Sequence, residues 1–386
     1  MAQVREYPLQ PIRMPAELGV ERDFDRDKSH VKGVKQLDAS DRMGFDSDTV
    51  FYDVFLSADG RRLNAIGPPL VNLRGLVLPV TWSLEEEGRV ERLPTRLRVR
   101  SRDRATFFSW SLRRRLDPTR EHILHARLAC GAEATVRVQP FALGQVYLQM
   151  ATLQKDNRLE WITDWVHFGV SQGVERFLIY DNGSRDFEGL RSALEALPVD
   201  VEVVLISWPF PYGPVRSYYN QYCQAGQNNH AEQRFAYAEW TGHLDVDEYV
   251  IGASRRSTAE ELRALPVRVG LLRIDSYWVP NVGEWPDGNI PRVHDFRYRE
   301  RQPREQAHKY FMRSNAYRQA RTHNGDVRFG YLRKKAQPAE LCFLHCVGLA
   351  DDWRPYTQRR APVPVDPELH VIDTRVAERL PRVVSS

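Results

Sequence analysis

The segment HLDVDEYV, residues 243 to 250, places two carboxylates one residue apart between strand-forming neighbours. Leu244, Val246, Tyr249 and Val250 favour extended backbone, in which alternate side chains share a face. Asp245 and Asp247 are therefore expected on the same side of an extended segment. Two carboxylates held close raise each other's proton affinity. A divalent cation relieves that cost, and hard oxygen ligands suit Mg²⁺ or Mn²⁺. Two solvated loop acids would look the same in isolation. The apolar run around them and their place in an alternating α/β region favour the ligand reading, because ligands of open α/β sheets bind outside the carboxyl ends of the strands.

Two further polar clusters follow strand-like runs. In IYDNGSRD, residues 179 to 186, Asp181, Asn182 and Ser184 offer donors and acceptors for a base or ribose, and Gly183 permits close backbone approach. The alternative there is an ordinary Asn-Gly turn. In LQKDNRLEW, residues 153 to 161, Lys155, Asp156, Asn157 and Glu160 follow a buried-strand pattern. The three clusters are expected on one rim.

The elements that must position them are legible as alternating runs. VYLQMATLQ reads as a buried strand. RLEWITDWVHFGVSQG carries Leu159, Ile162, Val166 and Val170 at helical spacing and stops at Gly173. ERFLIYDNGS, FEGLRSALEAL and VEVVLISW continue as strand, helix and strand, which argues for parallel βαβ units. STAEELRAL starts as a capping box, with Ser257 or Thr258 as cap and Glu260 or Glu261 following. Earlier, TVFYDVFLS, GLVLPVTWSL, RLRVRS, ATFFSWSL, HILHARLA and ATVRVQP are short strand-like runs without intervening helices, which suggests an antiparallel sandwich or barrel. The expected organisation is an N-terminal arm over 1–45, a β-rich sandwich-like domain over 46–146, an α/β domain over 147–350, and a Pro/Arg-rich irregular tail over 351–386.

LQKDNRLEWITDWVHFGVSQGVERFLIYDNGSRD together with EWTGHLDVDEYV resembles the nucleotide-sugar glycosyltransferases of the GT-A fold, and within them the family 2-like and family 92 group. The resemblance spans about residues 148 to 350 and is strongest over 150–186 and 238–250. It implies a Rossmann-like α/β GT-A catalytic domain, a UDP-sugar donor, and a metal between the D-x-D and the pyrophosphate. Asp247 matches the direct metal ligand, and Asp245 the residue that meets ribose or metal. Asp181 matches the acid that reads the uracil edge, with Asn182 and Ser184 beside it. Lys155, Asn157 and Glu160 match the polar cluster after the first strand. Lys309, in AHKYFMRS, matches a later basic residue that meets phosphate. His323 and His345 match late histidines, one of which completes the metal shell. HCVGLADDW departs from the family by lacking its charged and hydroxyl pattern after the histidine.

An inverting transfer also needs a carboxylate to take the acceptor's proton. RIDSYWVPNVGEWPDGN offers Glu284 and Asp287, and behind them Asp275, while Trp278 and Trp285 could stack on sugar faces. The implied activity moves a hexose to a glycan or glycolipid acceptor.

Composition narrows the alternatives. With 42% apolar and 27% charged residues, a disordered chain is excluded. No run of eighteen apolar residues occurs, so no membrane-spanning helix is expected. The first twenty residues lack a continuous apolar core of the secretory type. Four cysteines form no disulfide framework, which fits a reducing cytoplasm. Cys342, His345 and Cys346 lie close but not at zinc-finger spacing. Most of the basic residues are arginine, which suits phosphate recognition and peripheral contact with an anionic inner membrane face. The net charge of only +4 argues against nucleic acid. The competing reading is a carbohydrate-binding protein with a degenerate transferase half. A D-x-D phosphatase is disfavoured, because its nucleophile would follow the first strand of its domain.

Overall fold

The computed structural model describes residues 1–23, 46–102, 104–212, 222–252, 256–280, 282, 292–338, 340–347, 349 and 364–380. The chain divides into two compact units. The first comprises Met1–Glu6, Gly144–Ile206 and Ala236–Ser386, and the second Tyr7–Leu143 and Ser207–Phe235. These limits depart from the expected ones. Residues 3–7 form a strand of the large sheet instead of an irregular arm, and residues 207–235 group with the β-rich part. The tail is not wholly irregular either, since His370–Ile372 pairs antiparallel with Tyr298–Glu300.

The first unit is built on a ten-stranded sheet. In chain order its strands are β1 (Gln3–Tyr7), β2 (Val146–Gln154), β3 (Arg176–Asp181), β4 (Glu202–Ser207), β5 (Ala238–His243), β6 (Glu248–Gly252), β7 (Val269–Pro280), β8 (Arg304–Arg313), β9 (Leu332–Lys335) and β10 (Leu341–Val347). Across the sheet they run β1-β4-β3-β2-β5-β8-β7-β10-β6, with β9 also on β7. β2 lies parallel to β3 and to β5. All six residues of β3 are buried, the continuous apolar pattern of a strand covered on both faces. Helix α1 (Leu159–Ser171) follows β2 and buries Trp161, Ile162, Trp165, Val166 and Phe168. Gly173 ends it at φ +82, where a Cβ would stand 2.6 Å from that of Ala259. Helix α2 (Phe187–Glu195) is capped by Asp186, which accepts from Gly189 N–H at 2.8 Å. Helix α3 (Thr258–Arg263) starts with the capping box of Ser257 and Glu260.

The second unit holds two four-stranded antiparallel sheets. Their inner faces meet at Trp82 and Trp110, with ring centroids 5.2 Å apart. Thr95–Arg102 is an edge strand, and its exposed Arg96, Arg98 and Arg100 discourage pairing with another chain.

The helix Tyr222–Arg234, in the same unit, is polar in sequence yet almost wholly buried. Its groups find partners inside the unit. His230 Nε2 and Tyr7 Oη both meet Asp53 Oδ2, at 2.9 and 2.8 Å, and Arg234 Nε donates to Tyr7 Oη at 2.9 Å. Burial holds the His230 imidazole below its ordinary pKa, against the pull of Asp53. A histidine of this kind binds its proton better in the unfolded chain. Its contribution is therefore full above about pH 6.5 and is lost as pH falls below it, by up to about 1.4 kcal/mol per pH unit. Melting curves from about pH 7.5 down to 5.5 are expected to show this decline, with a flatter slope for His230→Asn. Equal slopes would contradict it.

Candidate functional site

β5 and β6 are joined by the turn of residues 244–247, at the edge of the sheet where β2, β3 and β5 end. Leu244 and Val246 are buried at 3% and 4% exposure and anchor the turn, leaving Asp245 and Asp247 at the surface of this edge. The segment is a turn and not the extended strand expected from its alternation. The reason is a reciprocal closure: Glu248 N–H donates to the Asp245 carbonyl at 3.0 Å, and Asp245 N–H donates to Glu248 Oε2 at 2.9 Å.

The two aspartates consequently have different partners. Lys309, on β8, points its ammonium at Asp245 Oδ2 (2.6 Å) and Glu248 Oε2 (3.0 Å) and is itself only 3% exposed. Burial alone would lower the lysine's pKa, but the two carboxylates outweigh it and raise it. Burial works to raise Asp245, and the Lys309 charge more than offsets it, so this carboxyl sits below its usual range. Glu248 goes the other way. Burial, opposed by Lys309 and reinforced by Asp245, pushes it up to about 7. Lys309 thus meets two carboxylates here, where the resemblance implied a phosphate.

Asp247 faces His345, with Nε2 to Oδ2 at 3.1 Å. His345 is on β10 between two neighbours: it pairs with Glu248 on β6 and with Trp278 on β7. Burial would depress the imidazole, but the Asp247 carboxylate dominates and lifts it to about 9. Asp247, Glu248 and His345 offer ligand atoms that all lie within 4.8 Å of one another. Two carboxylates and an imidazole form a donor set that fits Mn²⁺ or Mg²⁺. Asp245 is not among these three residues, and Lys309 meets both it and Glu248. The signal for Glu248 was present in the sequence, as the acid directly following the D-x-D. His323, the other histidine expected at the metal, is exposed and bonds the His308 carbonyl through Nδ1 at 3.2 Å. The structure does not bring it into the cluster.

The ends of β2 and β3 carry the second group. Asp181 is buried and accepts from the Gly183 and Ser184 amides at 3.1 and 2.9 Å and from Gln154 Nε2. Burial raises its pKa against these bonds. Ser184 Oγ accepts from Asp156 N–H at 2.8 Å and from Gln154 Nε2 at 3.1 Å. Gln154 therefore ties the two strand ends together, a residue the sequence reading passed over inside an apolar run. Asn157, Glu160, Gln154 and Ser184 line a cavity of about 270 Å³ beside Arg158 and Arg185. Asn182 is buried beside Asp181, and its N–H bonds the Gln154 carbonyl at 2.8 Å. Lys155 is half-buried next to this cavity in sequence but is not among its lining residues.

Of the expected proton acceptors, Glu284 and Asp287 lie outside the described residues, as does Trp285. Asp275 is 1% exposed, and its Oδ2 pairs with Lys335 Nζ at 2.7 Å. It sits on β7 where the register with β8 shifts between Ile274 and Ser276, three positions before Trp278. It is not among the residues of the Asp247, Glu248 and His345 cluster. Trp278 lies beside His345, ring centroids 6.0 Å apart, and Arg304 covers its ring at 3.5 Å.

Comparison with known proteins sets this geometry in context. Among solved structures, one similar chain is described as a WbbM bifunctional glycosyltransferase in its apo form. It has 11% identity and a TM-score of 0.26 over 36% of this chain and 24% of that one, so the match spans about a quarter of that protein. Another is HddC from Yersinia pseudotuberculosis, with 14% identity and a TM-score of 0.28 over 50% of this chain and 92% of that one. No curated protein sequence matches. The model of glycosyltransferase family 92 matches residues 146–376, well over half of the chain and the whole of the site just described. The chain therefore belongs to glycosyltransferase family 92 and is a glycosyltransferase enzyme.

Proposed function

We propose that this glycosyltransferase moves a hexose from a UDP-sugar to a glycan or glycolipid acceptor, with inversion and with the help of Mn²⁺ or Mg²⁺. The observation that carries the reading is the Asp247, Glu248 and His345 cluster at the edge where the parallel strands end. These three residues would hold the cation. When bound, it offsets the charge that builds on the leaving diphosphate.

The chain's own groups do the rest. Lys309 positions Asp245 and Glu248, holding their carboxylates through a single buried ammonium. Asp245, partly exposed, is left to meet the ribose. Asp181, Asn182 and Ser184 receive the base, with Lys155, Asn157 and Glu160 along the adjoining rim. Trp278, stiffened by Arg304, offers one side of the sugar pocket next to His345. The acceptor's proton goes to Glu284 or Asp287. The four cysteines are all free, in keeping with catalysis in the cytoplasm.

UDP release from a panel of UDP-sugars, followed with and without Mn²⁺, tests the proposal. Turnover of at least one donor that stops on chelation is expected. No release from any donor in the presence of Mn²⁺ would overturn it and leave the carbohydrate-binding reading.

A further inference from the structure

At the other end of β7 the first unit exposes side chains that a soluble surface ordinarily hides. Phe329 is fully exposed, at 105%, with Val267 at 73% and Leu332 at 58%. Val267 and Phe329 sit in two turns, and Leu332 opens β9 beside them. Leu332 N–H donates to the Arg268 carbonyl at 2.7 Å, and Tyr331 N–H donates to the Arg328 carbonyl at 3.2 Å, closing the turn that carries Phe329. Gly330 supplies its φ of +92. The result is a small projecting apolar tip.

Exposed cations surround it: Arg268, Arg328 and Lys334. None of the three has a carboxylate partner among the described residues. The nearby acid, Asp326, is already met by Arg321 and Arg333. Arg328 Nε donates to the Tyr317 carbonyl at 2.9 Å, and an apolar tip beside positive charge that no carboxylate offsets matches the chemistry of an anionic bilayer, with acyl chains beneath a layer of phosphates. A protein partner would need a broader face, about 800 Å² per side, than three side chains provide. No helix among the described residues is long and apolar enough to cross a membrane, so the tip would act by partial insertion.

We propose that the turns bearing Val267 and Phe329, with Leu332 at the start of β9, form a docking element for anionic lipid bilayers. Phe329 and Leu332 enter the boundary between headgroups and acyl chains, while Arg268, Arg328 and Lys334 pair with lipid phosphates. The element is distant from the transfer site. Val269, which pairs with Leu332, is nine positions from Trp278, which pairs with His345. At about 3.3 Å per residue this is about 30 Å along β7.

The test is co-sedimentation of the full chain with phosphatidylcholine vesicles, with and without phosphatidylglycerol, at low and high salt. Binding is expected to require phosphatidylglycerol and to weaken as salt rises. Phe329→Ser is expected to cut binding about tenfold, and Lys334→Glu to abolish the preference for anionic lipid. Phe329→Ser should melt with the wild type, because a fully exposed ring gives up no packing, and should release UDP normally. Vesicle binding needs no donor, so its outcome is separate from that of the donor screen. Equal binding to both vesicle types, or wild-type binding by Phe329→Ser, would overturn the proposal. So would a wild-type dimer that Phe329→Ser converts to monomer, since the tip would then belong to self-association.

Discussion

Asp247→Ala is expected to abolish both UDP release and the stabilisation that UDP with Mn²⁺ should give the wild-type chain. At a hundredfold excess over Kd, a ligand that binds only the folded state adds about 2.7 kcal/mol. For a domain of this size that is a rise in melting temperature of about 5–10 °C. Asp247 is a cluster ligand and also the principal partner of His345. Its loss removes one carboxylate and lets the imidazole fall from about 9 toward the ordinary histidine value. The remaining Glu248 is drawn to Lys309, so two groups cannot replace three. Activity is expected to drop by at least about 10³-fold. Differential scanning fluorimetry with UDP, Mn²⁺ and both together, alongside UDP release, measures each part. An unchanged shift in Asp247→Ala would remove the cluster from the donor site.

Lys309→Met is expected to destabilise the first unit by about 3–5 kcal/mol, the usual consequence of deleting one partner from a buried charge group. The methionine fills most of the lysine's volume, so the deficit comes from charge and not from a cavity. Asp245 and Glu248 are left facing each other without their shared counter-ion. The pH dependence gives a second signature. Glu248 has a pKa raised to about 7 in the folded chain, so folding takes up a proton between the ordinary glutamate value and 7. Its contribution is full below about 4.3 and is lost as pH rises through 7. Removing Lys309 takes away the interaction that opposes the rise and widens that window upward. The variant's deficit should thus be smallest in acid and greatest above neutrality. Urea unfolding at several pH values reads this, and the triple variant with Asp245→Asn and Glu248→Gln should recover most of the loss. A deficit independent of pH would deny the charge origin.

The alternation of apolar runs from Val146 to Ser207 made the parallel strands and their helices legible, because each buried strand is apolar on both faces and each helix on one. The site was legible in part. Asp247 and His345 stand together as the resemblance implied, although nearly a hundred residues separate them. Glu248 was hidden because an acid that opens a strand looks like a solvent-facing start, while here the β6–β10 pairing buries it beside His345. Sequence does not reveal that Lys309 meets Asp245 and Glu248. Nor does it reveal the register shift at Asp275, since short motifs do not fix strand register. The buried helix Tyr222–Arg234 escaped notice for a related reason: hydropathy marks it as surface, and only partners such as Asp53 make its burial tolerable.

The length of β7 keeps two chemistries apart on one strand. Val269, beside the exposed apolar tip, and Trp278, beside His345, are nine positions apart. A substitution at the tip can therefore be read for its own effect, with the carboxylate and histidine cluster left as it is.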